Sequence, residues 1–167
     1  LSKMLVSMES RGPDSAGFAI YNRDKHKLFK YSICLNEMSF DRFKKEIKKK
    51  IKFTKLEKNS DHVILKSIEK PSKIVPILED FTEISLVGYG KSIEIFKQVG
   101  KPSNVVKKFD LNKFSGSHAI GHTRMATESA ITTDGSHPYS TGEDECLVHN
   151  GSLSNHNNLR RKLKKNG

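Results

Sequence analysis

The chain has 167 residues, 35% hydrophobic and 29% charged, which suits one domain with its own apolar core. Its formal net charge is +11, from 30 Lys and Arg against 19 Asp and Glu. No apolar run approaches the ~20 residues of a membrane-spanning helix, and the two cysteines exclude a disulfide framework, so we expect a cytoplasmic protein with no membrane partner.

The positive charge is concentrated in two lysine- and arginine-rich runs. Lys44–Lys50 and Arg160–Lys165 both contain apolar residues at helical spacing, which is typical of solvated helix faces. Aromatic residues are not interleaved with the basic ones, as a base-stacking surface would require. We therefore predict no nucleic-acid partner, and an unrelated basic binding domain stays as an alternative that salt-dependent binding would reveal.

The first third of the chain predicts a short helix, two strands and a longer helix. Residues 2–10 have apolar side chains at helical spacing, and the helix must end before the Gly-Pro pair at 12–13. Gly17–Tyr21 and Leu28–Leu35 are typical of strands, and the polar segment between them predicts an antiparallel hairpin. Phe40–Lys52 places apolar residues on one face, which predicts an amphipathic helix.

The remainder predicts mostly strands. Apolar or β-branched runs indicate strands over His62–Ile68, Ile84–Tyr89, Ile93–Val99, His118–Arg124 and Glu145–His149. Ser103 or Asn104 is expected to cap a short helix, and Ser154 or Asn155 a final one. Residues 71–76, bounded by prolines, support no assignment. Many strands with helices at either end indicate an α+β fold with antiparallel sheets.

Asn150-Gly151 follows the last predicted strand and has two interpretations. An amide side chain next to a glycine N–H could form an oxyanion hole, because both can donate to the oxygen of a tetrahedral intermediate. The dipeptide is also the strongest hairpin-turn signal. Taken alone, the turn is the better interpretation.

Gly121–Thr127 carries Arg124 at the end of a predicted strand. An arginine there could hold a carboxylate through two parallel hydrogen bonds, or pair with an acidic neighbour on the surface. His122, in the same strand, is interpreted as a core histidine. The histidines lack metal-ligand spacing, so no metal site is predicted; they are His118, His122, His137 and His149.

A third short motif lies near the start of the chain, at residues 11–17. Arg11 or Asp14 could brace a loop through charge-assisted hydrogen bonds, or the segment could be a simple turn. None of the three motifs is specific by itself.

In combination the motifs are specific. RGPDSAGFAIY, GHTRMAT, HP and LVHNGSLSNHNNLRRKL follow one another in this order, and together they resemble the class II glutamine amidotransferases, the N-terminal-nucleophile family. The resemblance covers residues 1–35 and 115–167. Within the family, the sequence of these segments most resembles the stand-alone amidotransferase subunit related to glutamate synthase and N-methylglutamate synthase. It implies a four-layer αββα sandwich of two antiparallel sheets.

The resemblance also implies roles for individual residues. Asn150 and the Gly151 N–H would form the oxyanion hole, and Arg124 would bind the α-carboxylate of L-glutamine. Met125, Ala126 and Thr127 would shape the pocket, and His137 with its proline would close the loop over it. Arg11 and Asp14 would brace the site from behind. The glutaminase half-reaction uses no cofactor and no metal.

The family attacks glutamine with an amino-terminal cysteine, whose own amino group is the general base. The resemblance places that cysteine before Leu1 and the ligand of the substrate amino group after Gly167. We therefore expect residues 1–167 to be a single amidotransferase domain truncated at both ends and inactive by itself. Cys34 and Cys146 lie in predicted strands and cannot replace the nucleophile.

The full-length protein is expected to pass ammonia to a synthase subunit or domain, with oligomerisation left open. The alternative within the family is a non-catalytic subunit that binds glutamine and regulates a partner.

Overall fold

The structure is a computed structural model that describes residues 1–22, 28–126, 130–151 and 154–166. Within these ranges the helices are α1 (Ser2–Ser7), α2 (Phe40–Lys50), α3 (Pro71–Glu79), α4 (Pro102–Lys108) and α5 (His156–Lys165). The strands are β1 (Ser15–Tyr21), β2 (Phe29–Cys34), β3 (Lys55–Asn59), β4 (His62–Ser67), β5 (Ser85–Gly90), β6 (Ile93–Val99), β7 (His118–Arg124), β8 (Tyr139–Gly142) and β9 (Glu145–Leu147). Short 3₁₀ turns cover Glu9–Arg11 and Leu111–Lys113.

The strands form two main antiparallel sheets and one hairpin. One sheet has the order β6-β1-β7, the other has the order β3-β4-β2-β5, and β8 pairs with β9. All of these named pairings are antiparallel. The prediction of an α+β fold with antiparallel sheets is confirmed.

Three apolar clusters show how the layers stack. The first joins the four-stranded sheet to α2 and α3, through Phe43 and Ile74 for example. The second joins the three-stranded sheet to α1 and α4, with Phe18 at its centre. The third lies between the two sheets and includes Ala19 and Ile95. The order of layers is therefore helices, sheet, sheet, helices, the αββα sandwich of the N-terminal-nucleophile type.

The predicted hairpin between the first two strands is wrong. β1 pairs with β6 and β7, whereas β2 pairs with β4 and β5 in the other sheet. Both strands are covered on both faces, since β1 is buried along almost its whole length and β2 along all of it. A strand buried on both faces carries no alternation that would reveal its partner.

Other departures from the sequence prediction involve prolines and polar strands. Residues 71–79 form α3, which begins with Pro71 in its first turn, where the missing N–H removes no helical bond. α4 likewise begins at Pro102, so the predicted caps Ser103 and Asn104 are wrong. β3 was missed because its sequence, KLEKN, is polar and partly exposed, as an edge strand can be.

The basic runs lie on exposed helix faces, as predicted. The lysines of α2 are exposed, while Phe43 and Ile47 are fully buried beneath them. α5 contributes no buried side chain. Among the described helices, none combines the length and apolar character needed to cross a bilayer.

Asp144, in the turn between β8 and β9, holds the neighbouring turn between β5 and β6. Its carboxylate accepts the backbone N–H groups of Lys91, Ser92 and Ile93 at 3.0, 2.7 and 3.0 Å. Its own N–H donates to the Tyr89 carbonyl at 3.0 Å. This turn therefore ties the hairpin of β8 and β9 to the main sheets.

We expect Asp144→Ala to lower the free energy of unfolding by about 3 kcal/mol, because three N–H groups lose a charged acceptor. Asp144 also has a φ of 58°, which asparagine tolerates better than alanine. Asp144→Asn should therefore lose much less stability. Urea unfolding of both variants measures the difference, and equal losses would contradict the assigned contacts.

Candidate functional site

The end of β7 lies beside the start of β1. Arg124 is opposite Ser15, and His122 is opposite Gly17. The segment before β1 continues along β7, where Pro13 forms a parallel bridge with Arg124. The motif at residues 11–17 is therefore in direct contact with the motif at residues 121–127, although more than 100 residues separate them.

Asp14 links three parts of the backbone at this point. Its N–H donates to the Arg124 carbonyl at 3.1 Å, and its carboxylate accepts the Ala126 N–H at 2.8 Å. Its carbonyl accepts the Gly100 N–H at 2.8 Å. Asp14 thus holds the chain on both sides of Met125, whose side chain is 54% exposed.

Gly12 allows the first motif to lie this close to β7. A Cβ at Gly12 would lie 2.6 Å from the carbonyl carbon of Thr123 and 2.7 Å from its Oγ1. Backbone at that distance cannot move aside without disturbing the strand. Only glycine therefore fits at this position.

A cavity of about 700 Å³ lies between α1, β7 and the segment after β9. Its wall on the α1 side is apolar, with Leu1, Met4, Leu5 and Met8. The remaining lining residues are Arg11, Ala119, Gly121, His122, Thr123 and Asn150. Arg11 and Asn150 therefore both line this cavity.

Asn150 and Gly151 do not form a hairpin turn. They follow β9, and the next described element is the helix α5. Asn150 is exposed, and a Cβ at Gly151 would lie 3.4 Å from the His149 Nε2. Asn150 therefore lines the cavity, and the exposed Gly151 follows it directly in the chain. Thr127, the last predicted pocket residue, lies outside the described residues.

The loop of residues 130–138 places His137 against β7. The rings of His137 and His122 have centroids 4.2 Å apart, and the Tyr139 ring packs edge-on against His137 with centroids 4.4 Å apart. The Nδ1 atoms of both histidines are buried and have no hydrogen-bond partner among the described residues. The Arg124 guanidinium also approaches this loop, with Nη1 3.5 Å from the Ala130 carbonyl.

Burial and nearby positive charge lower the pKa of both histidines. Burial lowers the pKa of His137 to about 4, with further contributions from His122 and Arg124. Burial, followed by Arg124 and His149, also lowers the pKa of His122. Sequence reasoning interpreted His122 as a core residue. His122 and Arg124 are two residues apart in a strand, so their side chains lie on the same face. This spacing could have indicated from the sequence that His122 belongs to the site.

We expect the protein to lose stability as the pH falls from 6.5 towards 4. The unfolded chain binds the His137 proton near pH 6.5 and the folded chain only near pH 4. Stability from the neutral ring is therefore complete above pH 6.5 and decreases by about 3 kcal/mol below it. Thermal unfolding across this interval should show a shallower slope for His137→Gln. The exposed His118→Gln is the control, and it should keep the wild-type slope.

The two cysteines lie away from the cavity. Cys34 is 2% exposed between the sheets, and burial raises the pKa of its thiol. Cys146 is half-buried, with Sγ 3.4 Å from the Tyr21 hydroxyl. Burial raises its pKa as well.

A cluster of potential metal ligands involves Cys34, with Asp61 and His62, whose ligand atoms lie within 4.8 Å of one another. Within this cluster the Asp61 carboxylate already has hydrogen-bond partners. It pairs with Lys108 at 2.7 Å and with His62 at 3.0 Å, which holds its pKa at about 2 against the effect of burial.

Comparison with known proteins identifies the family. No family model matches the chain. The glutamine amidotransferase-like protein GlxB of Rhizobium meliloti is 44% identical over 171 residues, covering all of this chain and 57% of the relative. A relative from Methanothermobacter thermautotrophicus is 28% identical over 182 residues, again covering the whole chain and 60% of the relative.

A more distant similarity covers only part of the chain. A glutamine–fructose-6-phosphate aminotransferase of Methanococcus maripaludis is 35% identical over 104 residues, which are 57% of this chain and 17% of that enzyme. The chain spans less than two thirds of the first two relatives. With the sandwich fold and the four motifs, these similarities support a class II glutamine amidotransferase domain.

Proposed function

We propose that the full-length protein is a glutaminase that releases ammonia from L-glutamine, and that residues 1–167 form part of one amidotransferase domain. The observation that supports this most directly is the cavity that Asn150 and Arg11 line together with Thr123, the β7 residue next to Arg124. Basic and amide groups there suit a substrate with a carboxylate at one end and a carboxamide at the other.

In this proposal Arg124 pairs with the α-carboxylate of glutamine, and Met125, Ala126 and Thr127 shape the pocket around it. His137 closes the pocket from the loop side. A cysteine thiolate attacks the carboxamide carbon, and the oxygen of the tetrahedral intermediate accepts hydrogen bonds from the Asn150 side chain and the Gly151 N–H. The C–N bond then breaks, ammonia leaves with a proton from the general base, and water hydrolyses the thioester to glutamate.

The thiolate is expected to come from a residue other than Cys34 or Cys146, because neither lines the cavity and burial raises the pKa of both. A glutamine analogue with a diazoketone in place of the carboxamide should alkylate the nucleophile of the full-length protein. Mass spectrometry of the labelled peptides then identifies it. Stoichiometric labelling of Cys34 or Cys146 would contradict this assignment.

The decisive experiment is a glutaminase assay on the full-length protein, with and without a candidate synthase subunit. We expect glutamate and ammonia in equal amounts, with ammonia retained in the product when a synthase of the glutamate-synthase type is present. Calorimetry should be run in parallel. Glutamine binding without hydrolysis would favour the non-catalytic, regulatory alternative, and the absence of both would contradict the proposal.

A further inference from the structure

Lys97 is a buried lysine on the inner face of β6, 5% exposed and directly opposite Gly17 of β1. A buried ammonium group requires hydrogen-bond acceptors, because its loss of hydration is otherwise very costly. Lys97 Nζ donates to the main-chain carbonyls of Asp134 and Ser136, at 3.1 and 3.0 Å. It also lies 5.2 Å from the centre of the Tyr139 ring.

Both carbonyls belong to the loop of residues 130–138, so the loop curls around one cation. Further hydrogen bonds support this curvature. Ser136 is fully buried, and its Oγ donates to the Thr132 carbonyl at 2.8 Å. The Tyr139 hydroxyl donates to the Gly135 carbonyl at 2.9 Å. Removing the Lys97 charge would leave the buried Ser136 carbonyl and the part-buried Asp134 carbonyl without this donor, and the loop would have to open towards water.

The next residue along the loop is His137, which faces the site. Its carbonyl lies over Gly17, where a Cβ would come within 2.2 Å of the His137 oxygen and 2.5 Å of the Lys97 Cβ. Its ring packs on His122 at 4.2 Å. The position of His137 relative to β7 therefore depends on how tightly Lys97 holds Asp134 and Ser136.

We propose that Lys97 is a positioning residue, which holds residues 134–136 so that His137 closes the glutamine pocket beside Arg124. This proposal rests on the proposed glutaminase function. Lys97 acts through the loop and contacts no substrate. Its burial, which lowers the pKa of the ammonium group, is the cost of this arrangement.

The test compares Lys97→Met with Lys30→Met in the full-length protein. Lys30 is a matched control, since it is also buried, at 2% exposed, and its ammonium pairs with Glu94 at 2.8 Å, away from the loop. Lys97→Met should raise the KM for glutamine by about 10-fold to 100-fold, the effect of losing hydrogen bonds to a charged group. The change in kcat should be smaller, and Lys30→Met should keep the wild-type KM.

Hydrogen exchange of peptides covering residues 130–138 provides a measurement that needs no activity. Exchange should quicken in Lys97→Met and stay at the wild-type rate in Lys30→Met. Equal KM values and equal exchange in the two variants would overturn the proposal. An inactive wild-type protein would overturn the glutaminase function, while the exchange comparison would still decide whether Lys97 holds the loop.

Lys97→Gln extends the test if Lys97→Met does not fold. Its amide keeps N–H donors on a shorter side chain, so a smaller rise in KM is expected, with intermediate exchange. A wild-type KM together with wild-type exchange in this variant would also overturn the proposal.

Discussion

Asn150→Ala is expected to lower the kcat of the glutaminase reaction by roughly 10²–10³-fold, the usual effect of removing one oxyanion donor. The Asn150 side chain is exposed at the cavity, so its truncation removes a donor without opening the core. The KM for glutamine should change much less, because the hydrogen bond is made mainly in the transition state. Steady-state kinetics on the full-length variant measures both constants.

Asn157→Ala is the matched control for this experiment. Asn157 is an exposed asparagine on α5 and does not line the cavity. It should leave both kinetic constants unchanged. If Asn150→Ala kept the wild-type kcat, the oxyanion role would belong to another group. If it instead raised KM with kcat unchanged, Asn150 would bind the ground state of the substrate.

Strands with a clear local pattern were predictable from the sequence. β6 and β7 have the predicted bounds, Ile93–Val99 and His118–Arg124, because turn residues mark their ends. The amphipathic helix α2 was predicted within two residues of its end, since Phe43 and Ile47 share one face. These features depend on neighbours in the chain, and local side-chain chemistry determines them.

The partners of the strands were not predictable in the same way. β1 and β2 are adjacent in sequence and lie in different sheets, and this assignment depends on β6, β7 and β4. The site has the same limitation. Asp14 and Arg124 could be suspected separately, but their contact depends on β1 and β7 being neighbours in the sheet.

Two contributors to the site were missed for a related reason. His122 had the signature of a core histidine, and Lys97 had that of an ordinary lysine in a strand. Burial and contact with a loop from 15 or more residues away give each its character. The His137 ring packs against His122, and Lys97 binds the carbonyls of Asp134 and Ser136. No local pattern encodes such a contact.

Arg124→Ala is expected to raise the KM for glutamine by about 10²-fold or more, because the α-carboxylate loses its charged partner in a partly desolvated pocket. Arg124→Lys keeps the charge but loses the two parallel N–H donors, so a smaller rise is expected. Arg160→Ala, on the exposed helix α5, should behave as wild type. Since Arg124 also contacts the loop at Ala130, a higher KM alone would not separate binding from loop position.

A substrate without the carboxylate separates these two effects. 4-Aminobutanamide is glutamine lacking its α-carboxylate, and the wild-type protein should discriminate strongly between the two in kcat/KM. If Arg124 binds the carboxylate, Arg124→Ala should treat both substrates almost alike, because the interaction that distinguishes them is gone. If Arg124 only positions the loop, both substrates should lose activity in parallel and the discrimination should persist. Persistent discrimination would assign carboxylate binding to another cation, for which Arg11, a residue lining the cavity with Asn150, is a candidate.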